Sequence, residues 1–323
     1  MVTTESTPRR FTRWTLMGCL VLVLAAPEWA AAQSRFTGVV VFGTSLSDSG
    51  NAFALNGSAS TPPDYLLNPL LIPSAPYARG GHHFSNGATW IEQYARSLGV
   101  GGSVRPAFGG SSRQHTNFAV GAARAYNDGI NFNLTRQVDA FLERSGGDAD
   151  PQALYVIEMG GNDIRDAFQV YLMGGNSGAI IAAALASIAV NIQRLHAAGA
   201  QQFLVWSAPN VGLTPAIRSL GAGAMGLADY FTQVFNGGLT QTLAGLSALP
   251  GVSLARLDVY QILANIVANP AAFGLSNATT ACVTPRIAPF FCQNTDEYLF
   301  WDGIHPTKAG HAILAEQTAI VLQ

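Results

Sequence analysis

The stretch Val39-Val40-Val41-Phe42-Gly43-Thr44-Ser45-Leu46-Ser47-Asp48-Ser49-Gly50-Asn51 decides how this chain is read. Residues 38–42 form a short β-branched run, the pattern of a strand buried on both faces. The run breaks at Gly43 into Thr, Ser, Asp and Asn, which puts a hydroxyl at the carboxyl end of a strand. In open α/β sheets ligands bind at that end. A serine hydroxyl reacts only when an adjacent base takes its proton and a third group fixes the base. Asp302-Gly303-Ile304-His305-Pro306-Thr307 supplies both partners on one turn. Ser45, Asp302 and His305 are thus a candidate nucleophile, orienting acid and base, the set expected of a serine hydrolase. No G-x-S-x-G elbow occurs in the chain, which argues against the α/β-hydrolase fold despite the same chain order.

Outward from this stretch, apolar runs alternate with helical patterns. Strands are expected over 38–42, 117–120, 153–157, 202–206 and 252–257, and helices over 88–98, 134–144, 179–198, 224–249, 259–268 and 308–322. That alternation predicts a mostly parallel, five-stranded sheet covered by helices on both faces, in one domain over 33–323. The Ala- and Ile-rich helix over 179–198 reads as a packing helix, not a membrane span. Two irregular segments, 56–84 and 269–296, are candidate cleft walls. In the first, Tyr65, Leu66, Leu67, Leu70, Leu71 and Ile72 would favour acyl chains, and His82 and His83 read as solvated loop histidines.

Two more strand ends carry Gly or Asn. Asn117-Phe118-Ala119-Val120-Gly121-Ala122 ends in a glycine that lets a backbone N–H approach a ligand closely. Glu158-Met159-Gly160-Gly161-Asn162-Asp163 ends in a side-chain amide. The N–H of Ser45, the N–H of Gly121 and the Asn162 amide make a three-donor candidate oxyanion hole. Ser47 and Ser49 are decoy hydroxyls, and Asp48 is expected to cap its turn. His115, His196 and His311 read as ordinary residues away from the chemistry.

Residues 1–32 read as a secretory signal. Arg9, Arg10 and Arg13 precede an apolar run over 14–26, and Ala30-Ala31-Ala32 offers the cleavage site. The run is shorter than the roughly 20 residues a bilayer needs, so no transmembrane anchor is expected. Removal leaves 323 − 32 = 291 residues. With three Arg and two Glu in the leader, the net charge becomes −2 − (+1) = −3. Only 11% of residues are charged, which leaves no footprint for nucleic acid. The sequence ends one helix after His305, so no membrane barrel is expected to follow. Cys19 leaves with the leader. Cys282 and Cys292 remain as an even pair in an exported chain, and a disulfide is expected.

The four blocks together resemble the GDSL, or SGNH, family of esterases and lipases, marked by Ser, Gly, Asn and His in that order. Ser45, Gly121, Asn162 and His305 occupy those positions, and the resemblance covers nearly all of the mature chain. Phe84-Ser85-Asn86-Gly87 and Ala208-Pro209-Asn210 resemble the lipase-like branch. The resemblance implies a flavodoxin-like three-layer α/β/α fold and hydrolysis of a small-molecule or lipid ester through an acyl-enzyme. No metal or organic cofactor is implied. Ser45 is then the nucleophile, His305 the base and Asp302 its orienter, with Gly121 and Asn162 stabilising the oxyanion. The chain departs from the family at Thr44, where Asp is usual, and Thr44→Asp is expected to have a modest effect. Alternatives on the same scaffold are a phospholipase or acyltransferase, a polysaccharide deacetylase, and a catalytically silent lipid- or glycan-binding module.

Overall fold

β1 (Val39–Gly43) is buried at every position, as its unbroken apolar run requires. With β2 (Leu154–Glu158), β3 (Gln202–Trp206) and β4 (Ser253–Leu257) it forms a parallel sheet in the order β1-β2-β3-β4. This is a computed structural model, and it describes residues 1–3, 35–56, 76–77, 81–284 and 287–323. Residues 34–323 pack as one compact unit. The expected leader beyond residue 3 and the expected apolar wall over 65–72 lie outside the described residues.

Side chains alternate across the strands and separate two cores. Val40, Phe42, Tyr155, Ile157, Phe203 and Val205 point to one face. There α3 (Leu134–Ser145), α4 (Gly161–Leu172), α5 (Ser177–Ala197) and α7 (Ala222–Leu246) cover them. Val39, Val41, Val156, Leu204, Trp206 and Leu257 point to the other. That face is covered by α2 (Trp90–Ser97), the start of α8 (Val259–Ala268) and α9 (Lys308–Val321). The result is the three-layer α/β/α arrangement. Two shorter helices, α1 (Asn51–Asn56) and α6 (Pro215–Arg218), lie at strand ends.

Among the described residues the sheet has four regular strands, not five. Residues 117–120 run beside β1 with a single parallel bridge, Val41 to Asn117. Val41 N–H donates to Thr116 O, and the N–H groups of Phe118 and Val120 donate to Val41 and Gly43. Side chains take over the rest. The Asn117 Oδ1 accepts the Ala119 N–H at 3.0 Å, and the Asn51 Nδ2 donates to the carbonyls of Asn117 (2.7 Å) and Ala119 (2.8 Å). These amides satisfy the outer edge, while on the β1 side the Gly43 N–H donates to Gln137 Oε1 at 2.9 Å and not to a backbone carbonyl, so the ladder does not continue. Counted as a strand position, the segment gives the spatial order 2-1-3-4-5, the flavodoxin-like order with its switch point beside β1.

α4 was not expected, because its first residues, Gly161-Asn162-Asp163, read as a turn. Gly160 adopts φ 116°, which turns the chain straight from β2 into the helix. A Cβ at Gly160 would also lie 2.7 Å from the Phe235 ring. α5 is long and apolar enough to cross a bilayer. Only one face is buried, however, through Ile181, Ala184, Ile188, Ile192 and Leu195, and it packs on α3, α4 and α7. Within 269–296, expected to be irregular, β5 (Asn277–Ala281) pairs with β6 (Tyr298–Phe300). The sulfurs of Cys282 and Cys292 are at bonding distance, 2.04 Å.

Candidate active site

Ser45 leaves the end of β1, and 260 residues later the turn before α9 brings His305 against it. The Ser45 hydroxyl lies 2.8 Å from His305 Nε2, and His305 Nδ1 lies 2.6 Å from Asp302 Oδ2. A carboxylate only accepts, so Nδ1 carries the hydrogen and Nε2 offers its lone pair to the serine. Asp302 is held in turn. Its Oδ1 accepts the N–H groups of Ile304 and His305, both at 2.8 Å, and the Tyr77 hydroxyl donates to its Oδ2 at 3.1 Å. Thr307 caps α9 by accepting the Gly310 N–H, which fixes the helix that follows the turn. All three groups are buried, with Ser45 the most accessible at 8%.

Asp48 caps its turn as expected and does more. Its carboxylate accepts the N–H groups of Gly50 (2.8 Å), Asn51 (2.6 Å), Ala52 (3.0 Å) and Gly121 (2.8 Å). The Gly121 N–H therefore faces Asp48, not an open position beside Ser45. What requires glycine at 121 is the Phe84 ring, which would stand 2.2 Å from a Cβ there. The same ring packs on His305, with centroids 5.3 Å apart. Asn162 does reach the site. Its Nδ2 donates one hydrogen to Ala123 O at 2.8 Å, and the amide keeps a second. Asn162, Ser45 and His305 line one cavity of about 240 Å³.

The cavity walls are mainly apolar. Phe168 and Leu172 come from α4, Ile217 and Leu220 from α6 and the residues after it, and Leu46 and Ile304 from the loops that carry Ser45 and His305. Thr44 and Glu158 form part of its polar floor. Glu158 is buried (3% exposed) at the end of β2, and burial pushes its carboxyl up to about 7, with the nearby Asp163 adding to the rise. Burial likewise pushes Asp163 up to about 6, although it accepts the N–H groups of Ala125 and Tyr126. Sequence reasoning passed over Glu158. Its signal was a lone carboxylate ending the apolar strand Leu154-Tyr155-Val156-Ile157.

Two histidines differ from expectation. His83 is buried, with Nε2 2.8 Å from a Glu92 carboxylate oxygen, while His82 stacks on Phe53 at 3.4 Å between centroids. His311 on α9 is fully buried, and burial, helped by His83 and His305, pushes its imidazole down to about 3. It lies one helical turn past Thr307, close to His305. Among the described residues no group of His, Cys, Asp and Glu is arranged to hold a metal ion.

The family model for GDSL-like Lipase/Acylhydrolase matches residues 39–318, the greater part of the chain. The chain belongs to this family. It is 25% identical to a GDSL esterase/lipase of Arabidopsis thaliana, over 92% of this chain and 94% of that one. It is 30% identical to Esterase EstA of Pseudomonas aeruginosa, over 94% of this chain and 49% of that protein. As a GDSL esterase/lipase, the protein is a hydrolase of ester bonds.

Proposed function

We propose that the protein hydrolyses carboxylic esters of medium-length apolar acyl groups through an acyl-enzyme on Ser45. The observation that carries this reading is the unbroken chain Ser45–His305–Asp302 opening onto an apolar cavity. His305 Nε2 takes the Ser45 proton as Oγ bonds to the ester carbonyl carbon. Asp302 holds the imidazolium that forms. The oxyanion lies toward the Ser45 N–H and the free hydrogen of the Asn162 amide. The Gly121 N–H joins them only if it lets go of Asp48. Collapse of the intermediate passes the proton from His305 to the leaving alcohol. Water then repeats the steps on the acyl-enzyme, giving the acid and free Ser45. Nothing in these steps calls for a cofactor.

Volume supports the acyl preference. A void of about 150 Å³ holds a six-carbon ring. By the same ratio, 240 Å³ takes an acyl group of about eight to ten carbons. An acetyl group would leave most of it empty, which disfavours the deacetylase reading. We propose further that residues 1–32 are a leader removed on export, that Cys282 and Cys292 form a disulfide there, and that α5 is a packing helix and not an anchor.

The test is initial rates on nitrophenyl esters from acetyl to palmitoyl, with Ser45→Ala as control. The expected result is an optimum at medium length, lost in the control. No turnover on any ester from folded protein, or equal turnover in the control, would overturn the reading.

A further inference from the structure

Position 44 lacks the acid usual in this family, and the structure holds an acid where that loop needs one. β1 and β2 are in register with Gly43 opposite Glu158, so the Glu158 side chain rises directly beneath the nucleophile loop. Its Oε2 accepts the Thr44 N–H at 2.8 Å and the Ser47 hydroxyl at 3.0 Å, and its Oε1 accepts the Thr44 hydroxyl at 2.9 Å. The Ser47 oxygen in turn accepts the Trp90 Nε1–H at 3.0 Å, which anchors the loop to α2. One carboxyl thus ties down residues on both sides of Ser45. Glycine at position 43 leaves room for the carboxyl in this placement. A Cβ there would lie 2.9 Å from Glu158 Oε2. Among the described residues no salt bridge reaches Glu158.

We propose that Glu158 is the positioning residue of the nucleophile loop and that it stands in for the acid absent at position 44. The carboxyl stands at the end of β2 instead of the end of β1, and Thr44 supplies the hydroxyl it holds. The two positions are therefore coupled. An acid at 44 is incompatible with an acid at 158, because both carboxyls would compete for the same donors in a buried space. Thr44→Asp alone is consequently disruptive, which revises the modest effect expected from sequence. The proposal rests on Ser45 being the nucleophile.

The test is a double-mutant cycle of Thr44→Asp and Glu158→Gln, with Glu158→Leu alongside. Three quantities are read: kcat and KM on the preferred nitrophenyl ester, the rate at which an alkyl fluorophosphonate labels Ser45, and thermal unfolding. Thr44→Asp is expected to lower kcat and the labelling rate about tenfold or more, with KM little changed. Glu158→Leu, which strips three donors of their acceptor, should do the same, and Glu158→Gln should lose less. In the double variant the amide introduced at position 158 can donate to the carboxylate introduced at position 44, and most of the Thr44→Asp loss should return. Losses that simply multiply, or a Glu158→Leu enzyme labelled as fast as the parent, would overturn the proposal. If Thr44→Asp does not fold, the folding of the double variant reads the same coupling, and failure to recover it overturns the proposal. A parent protein that the fluorophosphonate does not label, or that labels equally as Ser45→Ala, defeats the nucleophile reading instead.

Discussion

Gly121→Ala should disturb His305 through the Phe84 ring that lies against both. The added Cβ falls 2.2 Å from Phe84 Cε2 and 2.3 Å from Cζ. Carbon–carbon contact needs about 3.5 Å or more, so the ring must retreat by about 1.3 Å. It has little room. Phe84 is 6% exposed, clustered with Ala52, Val120, Phe108 and Phe132, and has His305 at 5.3 Å between ring centroids. The Gly121 backbone is not left-handed, so alanine adds no strain of its own. The cost is that of overpacking, about 1–3 kcal/mol. A displacement of about 1 Å passed to the imidazole would lower kcat by up to about a hundredfold. Urea unfolding and kcat of Gly121→Ala, Phe84→Ala and the double variant check this. Phe84→Ala alone should cost about 3–5 kcal/mol. With the ring gone, Gly121→Ala should cost about nothing, because its methyl enters the vacated space. Equal costs of Gly121→Ala in both backgrounds would refute the argument.

Asp302→Asn should lower kcat by about three to four orders of magnitude, by analogy with other serine triads, because an amide can donate to His305 Nδ1 and fix the wrong tautomer; pre-steady-state acylation on a nitrophenyl ester would read it. Asn51→Ala strips the Asn117 and Ala119 carbonyls of a donor and the Phe108 N–H of its acceptor, so a loss of about 2–4 kcal/mol in urea unfolding is expected. His311 gives a pH dependence whose sign follows from its direction. The folded-state value is pushed down to about 3, against 6.5 for the free side chain. Between those values the unfolded chain binds the extra proton, so stability rises with pH, is complete above 6.5 and is lost as pH falls toward 3. Glu158, pushed up to about 7 from 4.5, works the other way: its contribution is complete below 4.5 and is lost as pH rises through 7. Unfolding of His311→Leu against the parent at about pH 4 and about pH 6.5 isolates the first slope, and a gap between the two proteins that does not change with pH would count against it.

Ser45, Asp302, His305 and Asn162 were legible because each lies where a strand or helix must begin or end, and polar residues there interrupt apolar periodicity. The four sheet strands were legible for the same reason, as short apolar runs between breaks. The fifth falls short of a regular strand because the Gln137 side chain takes the Gly43 N–H that a further rung would use, a partner 94 residues away that periodicity cannot see. α4 was missed because Gly160 at φ 116° makes a turn signal and a helix start look alike. Gly121 was assigned by its position in a block. The contact that demands glycine there, with Phe84, joins residues 37 apart, and no local pattern records it.

The division between what was legible and what was not is also a division of labour. Ser45 sits on a strand-end loop held by the sheet register and the Asp48 amide bonds, with Glu158 hydrogen-bonded beneath it, and Asp302 and His305 sit on the turn before α9. The cavity is walled largely by the later turns of α4, by α6 and by the residues after it, all outside the four blocks. Substitutions at Phe168, Leu172 or Ile217 thus change the space beside Ser45 without touching the hydrogen bonds that activate it. Filling the cavity from Ile217, for example by Ile217→Trp, should shift the preferred acyl length downward while the Ser45 labelling rate by a small fluorophosphonate stays near the parent's. A drop in labelling equal to the drop on long esters would mean that wall and nucleophile are coupled, and that the cavity does not set specificity independently of the chemistry.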